Sequence, residues 1–562
     1  MPEFPTAGRP KHRSAVSTSA PGRHSGFDKR LTPPAGFNAA GLFKGTRQDD
    51  TALIAGKFVF SGPGGTGNDD RSPSMTTAES SSSASLFRRK PIDEVEDEKT
   101  GSKLFKSLGL WQLTAIGVGG IIGIGIFTLA GLVANGGPDA PGVGPGVLIS
   151  FLIAGLASAA AALSYAEFAG MVPRAGSAYT YGYVALGEII GWFIGWDLLL
   201  EYTAIVAVVA IGISGYFTEF MSGIGIDVPA WMQGTGDTVE GGVINLPALV
   251  VCLFITWILS RGTKTFGRFE LVAVGLKVVL ILFIVGLGFF FVNTSNYTPF
   301  LPNGFGAVFT GAATVFFAVF GYDAMSTAAE EATDGKKHMP KAILLSLAVA
   351  MVLYILATLV LTGMQNYRDI SPTAGFASAF QSVGLPIIAT IISAFAVLSI
   401  LTVMLTFLLG VTRVWFSMSR DGLLPGWFSG TDRHGTPQRV TWIAGGASAL
   451  LAGVFPIRAV ADLTNIGILA AFVVVSVAVI VLRRRQPDAP REFRLPLMPW
   501  IPAFGVLSSG FLMLQLHWET WLRFVIWLII GIVIYWFYGR RHSLLNPNSP
   551  RLAEPPPAPE AA

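Results

Sequence analysis

Lys277 stands inside an apolar run, LVAVGLKVVLILF, about ten residues into a hydrophobic span that begins near 267. An ammonium in hydrocarbon is costly, so a lysine at this depth either threads back to the headgroups or serves a proton or ligand path. Carboxylates raise the same question. Asp197 and Glu201 in GWDLLLEY are four residues apart and share one helix face, where like charge is unfavourable unless one member is protonated or paired. Asp323 lies in FFAVFGYDAMSTAAEE with Ser326, Thr327, Glu330 and Glu331 close behind, and Glu167 lies in SYAEFAG. Ser399 and Thr402 place hydroxyls on a further apolar segment, where each can also bond its own helix's carbonyls. Groups of this kind hold and move protons or polar solutes. They do not assemble an enzyme: the six histidines are scattered without ligand spacing, Cys252 is alone, and no nucleophile has a base beside it. Neither cofactor nor metal is expected, and GGTG at 64–67 falls in a polar tail rather than at a strand–helix junction.

The elements that must position these groups are membrane helices. The chain is 51% apolar and 13% charged, too little charge to cover a soluble surface of 562 residues. Twelve hydrophobic spans fall near 111–134, 145–171, 179–218, 242–260, 267–292, 306–332, 340–364, 385–419, 438–455, 459–482, 498–516 and 520–539. Crossing ~30 Å of hydrocarbon takes about 20 residues in a helix. Residues 1–100 form a polar, Ser- and Gly-rich stretch expected to be a disordered tail, with Met75 an alternative start. The transporter domain is expected over 101–542 and a second disordered tail over 543–562. With the N-terminus inside, the inner loops and C-terminal flank carry Arg174, Arg261, Lys264, Arg268, Lys336, Lys337, Lys341, Arg420, Arg433, Arg439, Arg483, Arg484, Arg485, Arg491, Arg494, Arg540 and Arg541, while the outer loops carry Arg368, Arg458 and Arg523. That asymmetry puts both termini in the cytoplasm, with the bilayer as the surrounding partner.

Two of these spans are poorly made as helices. GVGGIIGIGIFTLAG holds Gly117, Gly119, Gly120, Gly123, Gly125 and Gly131, each costing an isolated helix about 1 kcal/mol relative to Ala. The sixth span has the matching defect around Gly321 and Asp323. Spans one and six each open a set of five, and paired interruptions of this kind point to a midplane site shared by two halves. Gly117, Gly120 and Gly131 read as close-packing positions, and Gly123 and Gly125 as the interruption itself.

The stretches GVGGIIGIGIF, SYAEFAGMVPRAGSAYTY, GWDLLLEY, FFAVFGYDAMSTAAEEA, RVWFSMSRDGLLP and LRRRQPDAPREFRLPLMP, taken in order, resemble the amino acid–polyamine–organocation superfamily. The branch is the bacterial permeases similar to cationic amino acid transporters. The resemblance covers about Leu86 to Leu545 and implies an all-α membrane protein of the LeuT type: helices 1–5 and 6–10 as inverted repeats, helices 1 and 6 discontinuous, helices 11 and 12 peripheral. It also implies proton-coupled uptake of an α-amino acid.

A zwitterion needs amide donors for its carboxylate and acceptors for its ammonium. The broken first helix offers the amides of Ile122, Gly123, Ile124, Gly125 and Ile126 at a helix N-terminus. The family pattern carries the ammonium acceptors onto Phe317, Ala318 and Phe320, with Phe317 also a gate, and the side-chain subsite onto Phe407. It makes Lys277 the stand-in for the sodium ion of sodium-coupled relatives, with Thr402 and Ser399 as hydroxyl partners, and puts Glu201 on the proton path. Glu167 and Asp323 are expected to form gate or network contacts. The bulk of Ile124, Phe317, Phe320 and Phe407 favours small or medium neutral substrates over cationic ones. Amino acid exchange, transport of Lys, Arg or ornithine, and a transporter-like sensor are the alternatives. Whether a small auxiliary membrane protein binds is open.

Overall fold

The computed structural model describes residues 86–90, 108–137, 140–174, 176–236, 239–261, 266–329, 332–431 and 437–550, without the side chains of 266–270 and Ala140. Expectations resting on residues 1–85, Lys264, the Arg268 side chain, Glu330, Glu331 and Arg433 lie outside it. The chain divides into Met1–Ala78 and Glu79–Ala562, and every described element belongs to the second unit.

That unit is helical apart from one short antiparallel pair, β1 Gly136–Gly137 with β2 Ala140–Pro141. In chain order the helices are α1 Leu110–Ile121, α2 Ala130–Asn135, α3 Val147–Met171, α4 Ala178–Ala185, α5 Glu188–Gly223, α6 Leu246–Ser260, α7 Phe266–Gly288 and α8 Gly304–Val315. They continue as α9 Tyr322–Ser326, α10 Gly335–Met364, α11 Gly375–Ser382, α12 Pro386–Arg420, α13 Gln438–Val454, α14 Ile457–Arg485, α15 Trp500–Leu514 and α16 Trp518–Ile534. Their boundaries follow local chemistry. Asn245 caps α6 by accepting from the Ala248 amide, Pro386 opens α12 where a missing N–H costs nothing, and Arg483, Arg484 and Arg485 close α14 at its negative dipole end.

Among the described residues nine helical stretches are long and apolar enough to cross a membrane. The other three expected spans also contain helices, but shorter ones: α6 with 15 residues, α13 with 17 and α15 with 15. At 1.5 Å per residue, 15 residues reach only about 22 Å. The expected third span, 179–218, is two helices. It breaks at Gly187, whose φ of +115° favours glycine and whose backbone lies against Phe87, 2.9 Å from where a Cβ would sit.

Packing places the interrupted segments at the centre. α5 lies along α12, α3 along α10, and α6 along α13. α1 packs on α10 as α8 packs on α3, while α14 packs on α5 as α7 packs on α12. The core is a continuous apolar cluster in which Ile122, Phe127, Tyr202, Phe316 and Tyr354 are fully buried. Leu156, Val279, Ile387, Leu507 and Phe537 stay exposed on outward faces, as lipid-facing side chains do.

Candidate functional site

The first break leaves eight backbone groups to be satisfied. In an unbroken helix the carbonyls of Gly119, Gly120, Ile121 and Ile122 would bond the amides of Gly123, Ile124, Gly125 and Ile126. Among the described hydrogen bonds none of the four is made. Ile122 turns extended at φ −77°, ψ 105°, and the chain resumes as a π-turn over Gly125–Leu129. Other side chains take the orphaned carbonyls. Lys277 Nζ donates to Gly119 O and Ile122 O, each at 2.8 Å, and Tyr354 Oη donates to Ile121 O at 2.7 Å. The third Lys277 proton goes to Thr402 Oγ1 at 2.7 Å, and Thr402 in turn donates to Ser399 O at 3.0 Å. The amides of 123–126 are left as the first-turn donors of the second half-helix, and Phe127 N is the first to reach back, to Gly123 O at 3.4 Å.

The second break is the complement. α8 runs into one 3₁₀ turn over Phe316–Ala318, the helix is interrupted at Gly321 with φ +119°, and α9 begins at Tyr322. Asp323 holds the corner: Oδ1 accepts the Gly321 amide at 3.0 Å and Oδ2 accepts Tyr202 Oη at 2.5 Å. Ser158 Oγ takes Val319 O at 2.5 Å, and Asn465 Nδ2 takes Ala313 O at 3.0 Å. Among the described hydrogen bonds nothing donates to the carbonyls of Phe317, Ala318 or Phe320.

The two breaks touch. A Cβ on Gly125 would fall 2.3 Å from Ala318 Cβ, and one on Gly321 would fall 2.7 Å from the Gly120 carbonyl carbon. Only glycine lets the backbones approach so closely. Gly123 is likewise against Val403, at 2.6 Å from a Cβ, so the glycines at the interruption pack as tightly as Gly117 against Ser346 or Gly131 against Ser371. A wall of aromatic rings stands beside the crossing: Phe317 on Phe320 at 5.3 Å between centroids, Phe320 on Phe407 at 5.5 Å, and Phe407 on Tyr202 at 5.3 Å. Ile124 turns away from that wall, its Cδ1 lying against Gly212 of α5.

Amides, uncapped carbonyls and an aromatic wall thus come together inside apolar helices, and sequence comparison places the chain in a family. The amino acid permease family model matches residues 108–545. The chain belongs to that family. It is 46% identical over 467 residues to the branched-chain amino acid permease BcaP of Bacillus subtilis, covering 82% of this chain and 99% of that one. It is 44% identical over 464 residues to a methylthioribose transporter of Bacillus subtilis, covering 82% and 100%. Further away, cationic amino acid transporter 4, vacuolar, of Arabidopsis thaliana is 28% identical over 585 residues, covering 82% and 96%. These relatives are permeases and transporters, not enzymes, and the permease described here is a multi-pass membrane protein.

Of the permease residues singled out by sequence, Gly123, Gly125, Ala318, Lys277 and Thr402 meet at the first break, and Phe317, Phe320 and Phe407 line the crossing. Ser399 presents only its carbonyl to this network, and among the described residues its buried hydroxyl has no partner. Glu201 and Asp197 are buried on α5, with Glu201 Oε2 and both Asp197 oxygens unpartnered, Asp197 lying against Gly467. Glu167 stands elsewhere. It receives Arg483 through Nε and Nη2 at 2.8 and 2.6 Å, Arg491 Nε at 3.0 Å and the Leu495 amide at 2.9 Å, tying the 486–499 segment to α3. Residues 543–549, assigned to the tail, make turns in which Ser543 Oγ donates to Glu188 Oε2 at 2.7 Å. Sequence reasoning passed over Tyr202, Tyr354, Ser158 and Asn465. A signal existed for each: a buried hydroxyl or amide in an apolar helix must find a partner.

Proposed function

We propose that this permease takes up neutral α-amino acids across the cell membrane by proton symport, with twelve spans, a LeuT-type inverted repeat and both termini cytoplasmic. The observation that carries the reading is the pair of apposed breaks, first-turn amides of 123–126 on one side and the uncapped carbonyls of Phe317, Ala318 and Phe320 on the other. An α-carboxylate suits the first and an α-ammonium the second. The repeat is supported by packing. Exchanging α1 for α8, α3 for α10, α5 for α12, α6 for α13 and α7 for α14 turns the observed helix pairs into one another. Both interrupted helices also break after 12 residues.

Coupling to protons rests on Lys277. Its ammonium is fully buried and bonds the two carbonyls that the first break frees, so loss of its proton would loosen the half-helix carrying the carboxylate site. Glu201, one residue from the Tyr202 that holds Asp323, gives a second proton carrier next to the second break. The aromatic wall favours aliphatic side chains, in keeping with the branched-chain name of one relative. The methylthioribose name of another supports a second reading, a neutral polyol with an apolar thioether tail, because the same wall would suit that tail.

Proteoliposome uptake of labelled leucine, alanine, arginine and methylthioribose, with and without an inward proton gradient, tests both. Gradient-driven leucine uptake is expected. Uptake that ignores the gradient yet requires internal amino acid would establish exchange instead, and uptake of methylthioribose alone would establish the second reading.

A further inference from the structure

A crevice of about 300 Å³ opens on the lipid-facing side between the first turns of α5 and the end of α16. Its walls are apolar and aromatic: Ile189, Ile190 and Phe193 on one side, Leu528, Ile532 and Trp536 on the other, with Leu86 as an end wall. Trp192 and Trp196, stacked at 5.7 Å between centroids, also line it. Arginines gather at the end where the chain's two described termini meet. Arg540 holds its guanidinium 4.8 Å over the Trp536 ring. Arg89 follows Leu86 by three residues, and burial together with the charge of nearby Arg485 holds it below the ordinary guanidinium range. The neighbouring Arg88 is already spent on Glu188, which Tyr535 and Ser543 also bond. Among the described residues no carboxylate pairs with Arg89, Arg485 or Arg540.

We infer that this crevice holds one anionic glycerophospholipid, its acyl chain along Ile190, Phe193, Leu528 and Ile532 and its phosphate between Arg89 and Arg540, with Arg485 adding charge. The chemistry at each end selects the same occupant. An apolar slot open to the bilayer takes an acyl chain, and guanidiniums that no described carboxylate neutralises, two of them repelling each other, take a phosphate in bidentate fashion. A zwitterionic lipid would fill the slot but leave the repulsion between the arginines only partly relieved. The site lies apart from both helix breaks and stands whether or not the transport reading holds.

Native mass spectrometry of the purified permease, equilibrated with equal phosphatidylglycerol and phosphatidylcholine and then exchanged into lipid-free detergent, tests the assignment. One retained phosphatidylglycerol is expected, favoured over phosphatidylcholine by roughly tenfold or more. Arg89→Gln with Arg540→Gln should remove that preference, whereas Arg523→Gln, at the other end of α16, should leave it intact. Equal retention of the two lipids by the unmodified protein, or an unchanged preference in the double variant, overturns the inference. Should the double variant aggregate, Ile532→Trp, which fills the slot and spares every charge, is expected to abolish retention of the bound lipid, and full retention in that variant overturns it equally.

Discussion

Buried charge is treated in two opposite ways in this permease. Three buried carboxylates each have a counter-charge: Glu167 with Arg483 and Arg491, Glu188 with Arg88, Asp421 with Lys90. At Lys277 and Asp197 the pattern differs. Lys277 is bonded to two backbone carbonyls and a hydroxyl, while Asp197 has no described partner at all. The first arrangement suits permanent structure, because ion pairs with full hydrogen bonding keep their geometry. The second suits the proposed coupling, in which a deep ionisable group changes its protonation during a cycle.

The largest expected effect tests the second half of that contrast. Lys277→Ala should abolish gradient-driven uptake in proteoliposomes while substrate binding stays detectable, for instance by ligand-induced thermal stabilisation; an unchanged gradient response would remove Lys277 from coupling. Glu167→Gln tests the first half. It leaves Arg491, whose side chain is 1% exposed, without its counter-charge, and should cost about 3–5 kcal/mol, read as a large drop in the thermal midpoint in detergent. A loss under 1 kcal/mol would mean that the tail-side pairs contribute little.

Gly125→Ala comes next. Its methyl would meet Ala318 Cβ at 2.3 Å, so the two breaks must separate, at about 1–3 kcal/mol of stability and with most of the uptake lost. Uptake at the unmodified rate would mean that the contact is not part of the site. Asp197→Asn, by contrast with Glu167→Gln, removes no described partner, and its thermal midpoint should move by the equivalent of about 1 kcal/mol or less. A Glu167-sized loss there would erase the distinction drawn above. Ser399→Ala should be the mildest, within about 0.5 kcal/mol and with uptake unchanged, because its hydroxyl has no partner to lose.

The helices were legible in the sequence because apolar length is a local property, and nine described stretches reach membrane-crossing length. Each of the twelve expected stretches contains a helix, and the glycine-rich run and Gly321 mark where two of them give way. The division of span three at Gly187 was hidden, since AYTYGYVALGEIIGW reads as one apolar run and the break depends on contact with Phe87, about 100 residues earlier. Glu167 shows the same limit. Its motif marked it as notable, but its partners Arg483 and Arg491 lie on a segment that only folding brings to α3.

Composition and spacing alone therefore determined the membrane class, the helical elements, the two weak helices and the acidic and basic residues that sit too deep to be ordinary. These follow from transfer energies and helix propensity, which each short stretch carries within itself. Tertiary structure alone decided which oxygens Lys277 bonds, that Gly125 rests on Ala318, that Tyr202 closes on Asp323, and that Ile124 turns toward Gly212. Those are contacts between residues roughly 90 to 190 positions apart, and the hydrogen bonds a broken helix gives up are satisfied by whichever groups the rest of the fold delivers to it.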